Sequence, residues 1–185
     1  MIEVRWHGRG GQGAVTAALL LAHAVIKEGG YAQSFAEFGP ERRGAPLVAF
    51  TRVDSKPIDL RCNIYNPSVV VILDPKLLAA LNVTEGLKKD GNLIINTSKT
   101  PKEMAEKFDF FGSVATVNAA KIALEELKVP IVNTAMLGSV IKVLNTVKLE
   151  TVVDAIHERF KGTIAERNVK AARRAFNETE MLKVG

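Results

Sequence analysis

Residues 2–38 read IEVRWHGRGGQGAVTAALLLAHAVIKEGGYAQSFAEF. Ile2, Val4 and Trp6 alternate with Glu3, Arg5 and His7, the period of a strand. Glycines follow at 8, 10, 11 and 13. The Ala- and Leu-rich run 14–28 then predicts a helix, which Gly29-Gly30 would stop. Residues 31–38 read as a second strand. A strand, turn, helix and strand in that order predict a parallel pair with a right-handed crossover.

Beyond this unit, Phe38-Gly39-Pro40-Glu41-Arg42-Arg43-Gly44-Ala45-Pro46 holds two glycines and two prolines and reads as a loop. Residues 47–53 predict a third strand, and the tight Asp54-Ser55-Lys56-Pro57 turn makes this part antiparallel, because a parallel return needs a longer crossover. Buried strands are expected at 68–73 and 92–96, with the last at 113–117. A short helix is expected at 75–81. Helices at 118–127, 133–145, 149–159 and 164–177 complete the chain. The whole predicts a single domain over 1–185. Its class is α/β: three layers, a mostly parallel sheet with a Rossmann-like start, an antiparallel addition and a helical C-terminal third.

Composition narrows the function. Of 185 residues, 47% are hydrophobic and 24% charged, enough for a proper core. The net charge of +5 is not gathered into a nucleic-acid footprint. Arg167, Lys170, Arg173 and Arg174 alternate with Ala and Phe at helical spacing, which fits a solvated or partner-facing helix side, so no nucleic acid is expected. The single cysteine, Cys62, excludes an intramolecular disulfide and a self-contained iron–sulfur cluster, which takes four thiolates. His7, His23 and His157 lie far apart, without metal-ligand spacing. The apolar run 14–26 is too short to cross a membrane and follows no basic start. A cytoplasmic chain with no membrane partner is expected.

Gly8, Gly10, Gly11, Gln12 and Gly13 form the first candidate site. Gly8-Arg9-Gly10-Gly11-Gln12-Gly13 fits G-x-G-x-x-G between a strand and a helix, as a dinucleotide fingerprint requires. Free N–H groups at the helix start would attract an anion. Equally, the glycines could serve only to pack helix on strand. Glu37 stands where a ribose-binding acid would, although Phe38-Gly39-Pro40 follows at once, and Gln12 and Gly11 are atypical of nicotinamide enzymes. Arg42 and Arg43 form the second candidate, an anion clamp or a docking finger, against the plainer reading of a surface loop with a Glu41–Arg pair. Asp74 fits a helix start as well as a base, and Asn133 and Thr134 fit helix caps. No acid–base–nucleophile set is visible, so no catalytic residue is assigned.

Three stretches carry a family resemblance: GRGGQGAVTAALLLAHAVIKEGG (8–30), FAEFGPERRGAPLVAFTRVDSKPI (35–58) and IVNTAMLGSVIK (131–142). Over residues 3–177 the chain resembles the gamma subunit of pyruvate and related 2-oxoacid:ferredoxin oxidoreductases. The resemblance implies a complex that oxidatively decarboxylates pyruvate with coenzyme A, giving acetyl-CoA, CO2 and reduced ferredoxin. It implies thiamine diphosphate between alpha and beta subunits and iron–sulfur clusters on a delta subunit. This chain would hold neither, and would take a structural and gating role. The glycine turn with Arg42 and Arg43 would then dock on the thiamine-binding chains or donate to coenzyme A phosphates. FGPERRGAP and DSKPI look most like the pyruvate or pyruvate/branched-chain type, with the oxoacid left open. The isolated chain is expected to pair with itself through faces that otherwise meet other subunits. The alternative, from a different class, is a stand-alone dinucleotide-binding protein.

Overall fold

The computed structural model describes residues 1–38 and 44–183. Strand β1 (Ile2–Arg9) leads through the glycine turn into helix α1 (Ala14–Lys27), then to β2 (Tyr31–Phe38) and β3 (Pro46–Asp54). Two glycines end α1 as expected. Gly29, at φ 84, donates to Ile26 O and Gly30 to Val25 O, both at 3.0 Å, the paired bonds of a Schellman stop. There follow β4 (Val69–Ile72), the single turn α2 (Leu77–Ala80), β5 (Asn92–Asn96), α3 (Pro101–Phe108) and β6 (Ser113–Val117). Helices α4 (Ala119–Glu126), α5 (Asn133–Leu144), α6 (Leu149–Arg159) and α7 (Gly162–Glu178) precede a last strand, β7 (Glu180–Lys183).

The sheet runs β2-β3-β1-β4-β5-β6-β7. Strands β1, β4, β5 and β6 form a parallel core. Antiparallel strands flank it, β3 and β2 on one side and β7 on the other. The expected parallel β1–β2 pair is therefore corrected. The two strands do run the same way, but β3 lies between them and pairs with both, so that Leu47 faces Gly8 on one side and Phe38 on the other. Burial explains the insertion. Phe50 to Val53 of β3 are buried, whereas the more polar β2 is only partly covered and takes the edge. Two elements were not foreseen. Helix α3 opens with a capping box between Thr100 and Glu103 and a proline in its first turn. Strand β7 replaces 113–117 as the last strand, and all four of its residues are exposed.

The two faces of the sheet differ. Helices α1, α4, α5, α6 and α7 build the larger core on one face around Trp6, Val71 and Ile94. On the other, Leu77 and Met104, from α2 and α3, cover Val70, Ile72, Leu93 and Ile95. Trp6 Nε1 donates to Thr51 Oγ1 (3.0 Å), which donates to Ala18 O (3.2 Å), so one buried chain joins β1, β3 and α1. Helices α5 and α7 cross closely because Gly138 has no side chain. A Cβ there would overlap the Ala172 carbonyl.

Candidate functional site

The sheet places the glycine turn at the carboxyl ends of the parallel strands, where open α/β sheets receive ligands. The turn closes on itself. Gln12 N–H donates to Arg9 O (3.0 Å), and Gln12 Oε1 accepts from Arg9 N–H (2.8 Å). Gln12 thus spends its carbonyl oxygen inside the turn. Gly11 and Gly13 hold φ of 96 and 81, a left-handed region that favours glycine. Gly8 packs against Ala14 and Leu73, where a Cβ would already be tight.

Three contacts anchor the turn to its surroundings. Gly10 N–H donates to Ala45 O (3.0 Å), and Arg9 Nη1 to Gly44 O (3.1 Å), so the end of the 38–46 loop is fastened to the turn. Arg9 Nε donates to Asp74 Oδ2 at 2.7 Å. Asp74 Oδ1 accepts from Lys76 N–H (2.9 Å), so this carboxylate is committed to a turn and an ion pair, and the helix-start reading holds over the base. Arg42 and Arg43 lie outside the described residues.

Asn133 and Thr134 depart from simple caps. Val132 is the N-cap of α5, and Asn133 Oδ1 accepts from the adjacent Thr134 N–H (2.8 Å). The Asn133 side chain lies against Gly13, with Nδ2 2.6 Å from where a Gly13 Cβ would stand. Thr134 is fully buried, and its hydroxyl meets Asn168 Oδ1 at 2.9 Å. Buried contacts between helices explain both residues.

Above the turn opens a cleft of about 610 Å3. The first turn of α1 forms one wall, and Leu127, Val129, Ile131, Phe160, Ile164 and Arg167 stand opposite. Helix α1 has no side-chain cap and no acidic residue in its first turn, so its N–H groups and positive dipole end are free for an anion. Sequence reading missed Arg167 as a site residue, because α7 folds back from far along the chain and no local signal joins it to the glycines.

The Rossmann-like reading weakens here. Glu37 sits on β2, two strands from β1 and so about 10 Å away across the sheet, too far for the usual ribose contact. The histidines have structural partners. His7 Nε2 accepts from Arg5 Nε (3.1 Å), His23 meets Glu158 (3.2 Å) and His157 faces Glu166 (3.8 Å). Burial, then the neighbouring Arg5 charge, holds His7 down at a pKa of about 4. Among the described residues no three His, Cys, Asp or Glu side chains gather as metal ligands, and no helix is long and apolar enough to cross a membrane.

These features define an α/β chain with an open, anion-attracting glycine turn beside an apolar cleft. Its residues 3–178 match the pyruvate ferredoxin/flavodoxin oxidoreductase family, and the chain belongs to that family. It is 57% identical over 180 residues to the pyruvate/ketoisovalerate oxidoreductases common subunit gamma of Thermococcus kodakarensis, covering 97% of each chain. It is 52% identical to pyruvate synthase subunit PorC of Methanocaldococcus jannaschii, over 99% of this chain and 98% of that one. The crystal structure of the pyruvate oxidoreductase subunit PORC of Thermotoga maritima superposes with a TM-score of 0.87 at 40% identity, over 97% of both chains.

Proposed function

We propose that this chain, as one domain over 1–185, is the gamma subunit of a multi-subunit pyruvate (2-oxoacid):ferredoxin oxidoreductase. It shapes and gates access to the active centre, and its glycine turn contributes to coenzyme A binding. The complex oxidatively decarboxylates pyruvate with coenzyme A to acetyl-CoA, CO2 and reduced ferredoxin in the cytoplasm. Alpha, beta and delta subunits are its partners. The carrying observation is the end-to-end likeness to gamma subunits, 57% identity over 97% of each chain, joined to an uncapped α1 start that opens on a cleft.

The donor set supports this division of labour. An iron–sulfur cluster takes four thiolates, and this chain has one cysteine, so the clusters belong to other chains. Thiamine diphosphate likewise belongs to the partner chains, where it supplies the carbanion chemistry. The residues of this chain orient and enclose.

Affinity capture of this chain from its native cell, followed by an oxoacid-dependent ferredoxin reduction assay, tests the assembly. Recovery of partner chains with that activity is expected. A monomeric chain that takes up NAD with a clear rise in melting temperature would instead favour the stand-alone dinucleotide-binding alternative. Arg42→Gln with Arg43→Gln in the assembled enzyme tests the loop: a raised KM for coenzyme A is expected if it grips the phosphates. An unchanged KM with normal assembly removes that role.

A further inference from the structure

Three helices begin on the walls of one cleft. Ala14, Val15 and Thr16 of α1, Asn133 of α5 and Ile164 of α7 all line it. None of the three helices has an N-cap side chain accepting a hydrogen bond, and none carries an acidic residue in its first turn. Each helix start carries about half a positive charge, so the three ends reinforce one another. Among the described residues, no Asp or Glu lines the cleft to offset them.

A second observation also points to a ligand. Asn133 is only 4% exposed, yet Nδ2 donates to no described residue, although Oδ1 is satisfied by Thr134 N–H. This amide lies against Gly13 on the wall of the cleft. A buried donor without a partner costs free energy that a bound acceptor would return.

Arg167 is the one charged side chain on the wall. Its neighbours further along α7 are neutralised, Arg173 by Glu150 and Arg174 by Glu125, Glu126 and Glu178. Arg167 is exposed and pairs with no described residue. Its helical turn is held firmly, because Asn168 bonds both Thr134 Oγ1 (2.9 Å) and Ile164 O (2.8 Å). A free guanidinium on a rigid turn, facing uncapped helix starts, suits a phosphate.

We infer that Arg167 is the positioning cation of a phosphate site at the joint start of α1, α5 and α7, and that the ligand's apolar body lies along Val129, Ile131 and Ile164. The cleft, at about 610 Å3, is the size of small-molecule sites. This rests on the reading that the glycine turn serves coenzyme A. It moves the side-chain cation from the 38–46 loop to α7.

The test uses the assembled enzyme carrying Arg167→Gln, Arg167→Lys, or Arg42→Gln with Arg43→Gln, and coenzyme A as the probe. KM for coenzyme A, KM for the oxoacid and kcat are measured, with calorimetric binding of coenzyme A in the absence of oxoacid. Arg167→Gln is expected to weaken coenzyme A binding roughly tenfold, the loss of one charge-assisted contact, with KM carrying the change and the oxoacid KM at its wild-type value. Arg167→Lys recovers part of the loss. If Arg167→Gln leaves coenzyme A binding intact and the loop pair weakens it, the inference falls and the coenzyme A reading survives. If neither variant matters, the coenzyme A reading falls with it. Should Arg167→Gln block assembly, displacement of coenzyme A by inorganic pyrophosphate decides instead. Weaker displacement in Arg167→Lys than in wild type supports the site, and equal displacement overturns it.

Discussion

The side chain of Asn133 occupies the space that a Cβ on Gly13 would need, with Nδ2 2.6 Å from that point. The turn and helix α5 are thus fitted to each other through the absence of one methyl group. Gly13→Ala meets two penalties, a φ of 81 that costs an L-residue about 1–2 kcal/mol and a clash with a buried neighbour. A total loss of about 2–4 kcal/mol in unfolding free energy is expected by denaturant titration. Gly11→Ala is the control. Its φ is 96 but nothing stands within 4 Å, so only the backbone penalty of about 1–2 kcal/mol applies. Equal losses in the two variants would refute the fitted contact.

Arg52 carries the second prediction. It is 1% exposed and pairs with Glu3 at 3.0 Å, while Nη2 donates to the carbonyls of Cys62 (2.7 Å) and Asn63 (3.3 Å). One guanidinium therefore pins the irregular segment after β3 to a sheet face that no helix covers. Arg52→Met leaves Glu3 and two carbonyls unpaired. The expected loss is about 2–4 kcal/mol, below the full buried-pair value because Glu3 still touches water. Limited proteolysis within 55–67 should quicken in the variant. An unaltered digestion pattern would show that the segment is held by other contacts.

Thr51 supports the third. Its hydroxyl is the buried link between Trp6 Nε1 and Ala18 O. Thr51→Val keeps the shape and removes the link, leaving an indole N–H and a carbonyl unsatisfied, at about 1–3 kcal/mol. Trp6 is the sole tryptophan, so its fluorescence reports the unfolding midpoint directly. A midpoint within error of wild type would mean that the link contributes nothing net.

Local signals in the sequence were read well, and remote ones were not. The bounds of β2, β5, β6 and α6 follow from period and from Gly, Pro and Asp turns, which act within a few residues. The place of β3 between β1 and β2 was not legible, because strand order depends on which strand buries more, a comparison across the whole sheet. Strand β7 has no buried residue and so no pattern. Helix α3 did carry a signal, Thr100 and Glu103 in a capping box, but in a polar stretch with little hydrophobic period to draw attention. The glycine turn was plain in the sequence, whereas Asn133 and Arg167 reach it only through the folding back of α5 and α7.

His7 sets the fourth prediction, a pH dependence with a definite sign. The imidazole is 7% exposed, and Nδ1 is buried without a partner. Arg5 Nε donates to Nε2, which requires that nitrogen to be unprotonated. Burial and the Arg5 charge lower the folded pKa from 6.5 to about 4. Above pH 6.5 both folded and unfolded states hold a neutral ring, and the stability of the folded state is fully expressed. Between about 6.5 and 4 the unfolded chain binds a proton that the folded chain refuses, so stability falls as pH falls. A shift of this size corresponds to about 3 kcal/mol across that window. The paired carboxylates, such as Glu28 with Thr151 and Lys148, have pKa values lowered below the ordinary 4.5, so their share of stability is lost in more acid solution. Denaturant titrations at pH 7.5 and pH 5 should therefore separate His7 from them. His7→Gln is expected to flatten the difference between those two pH values. A slope as steep in His7→Gln as in wild type would place the acid sensitivity on another group.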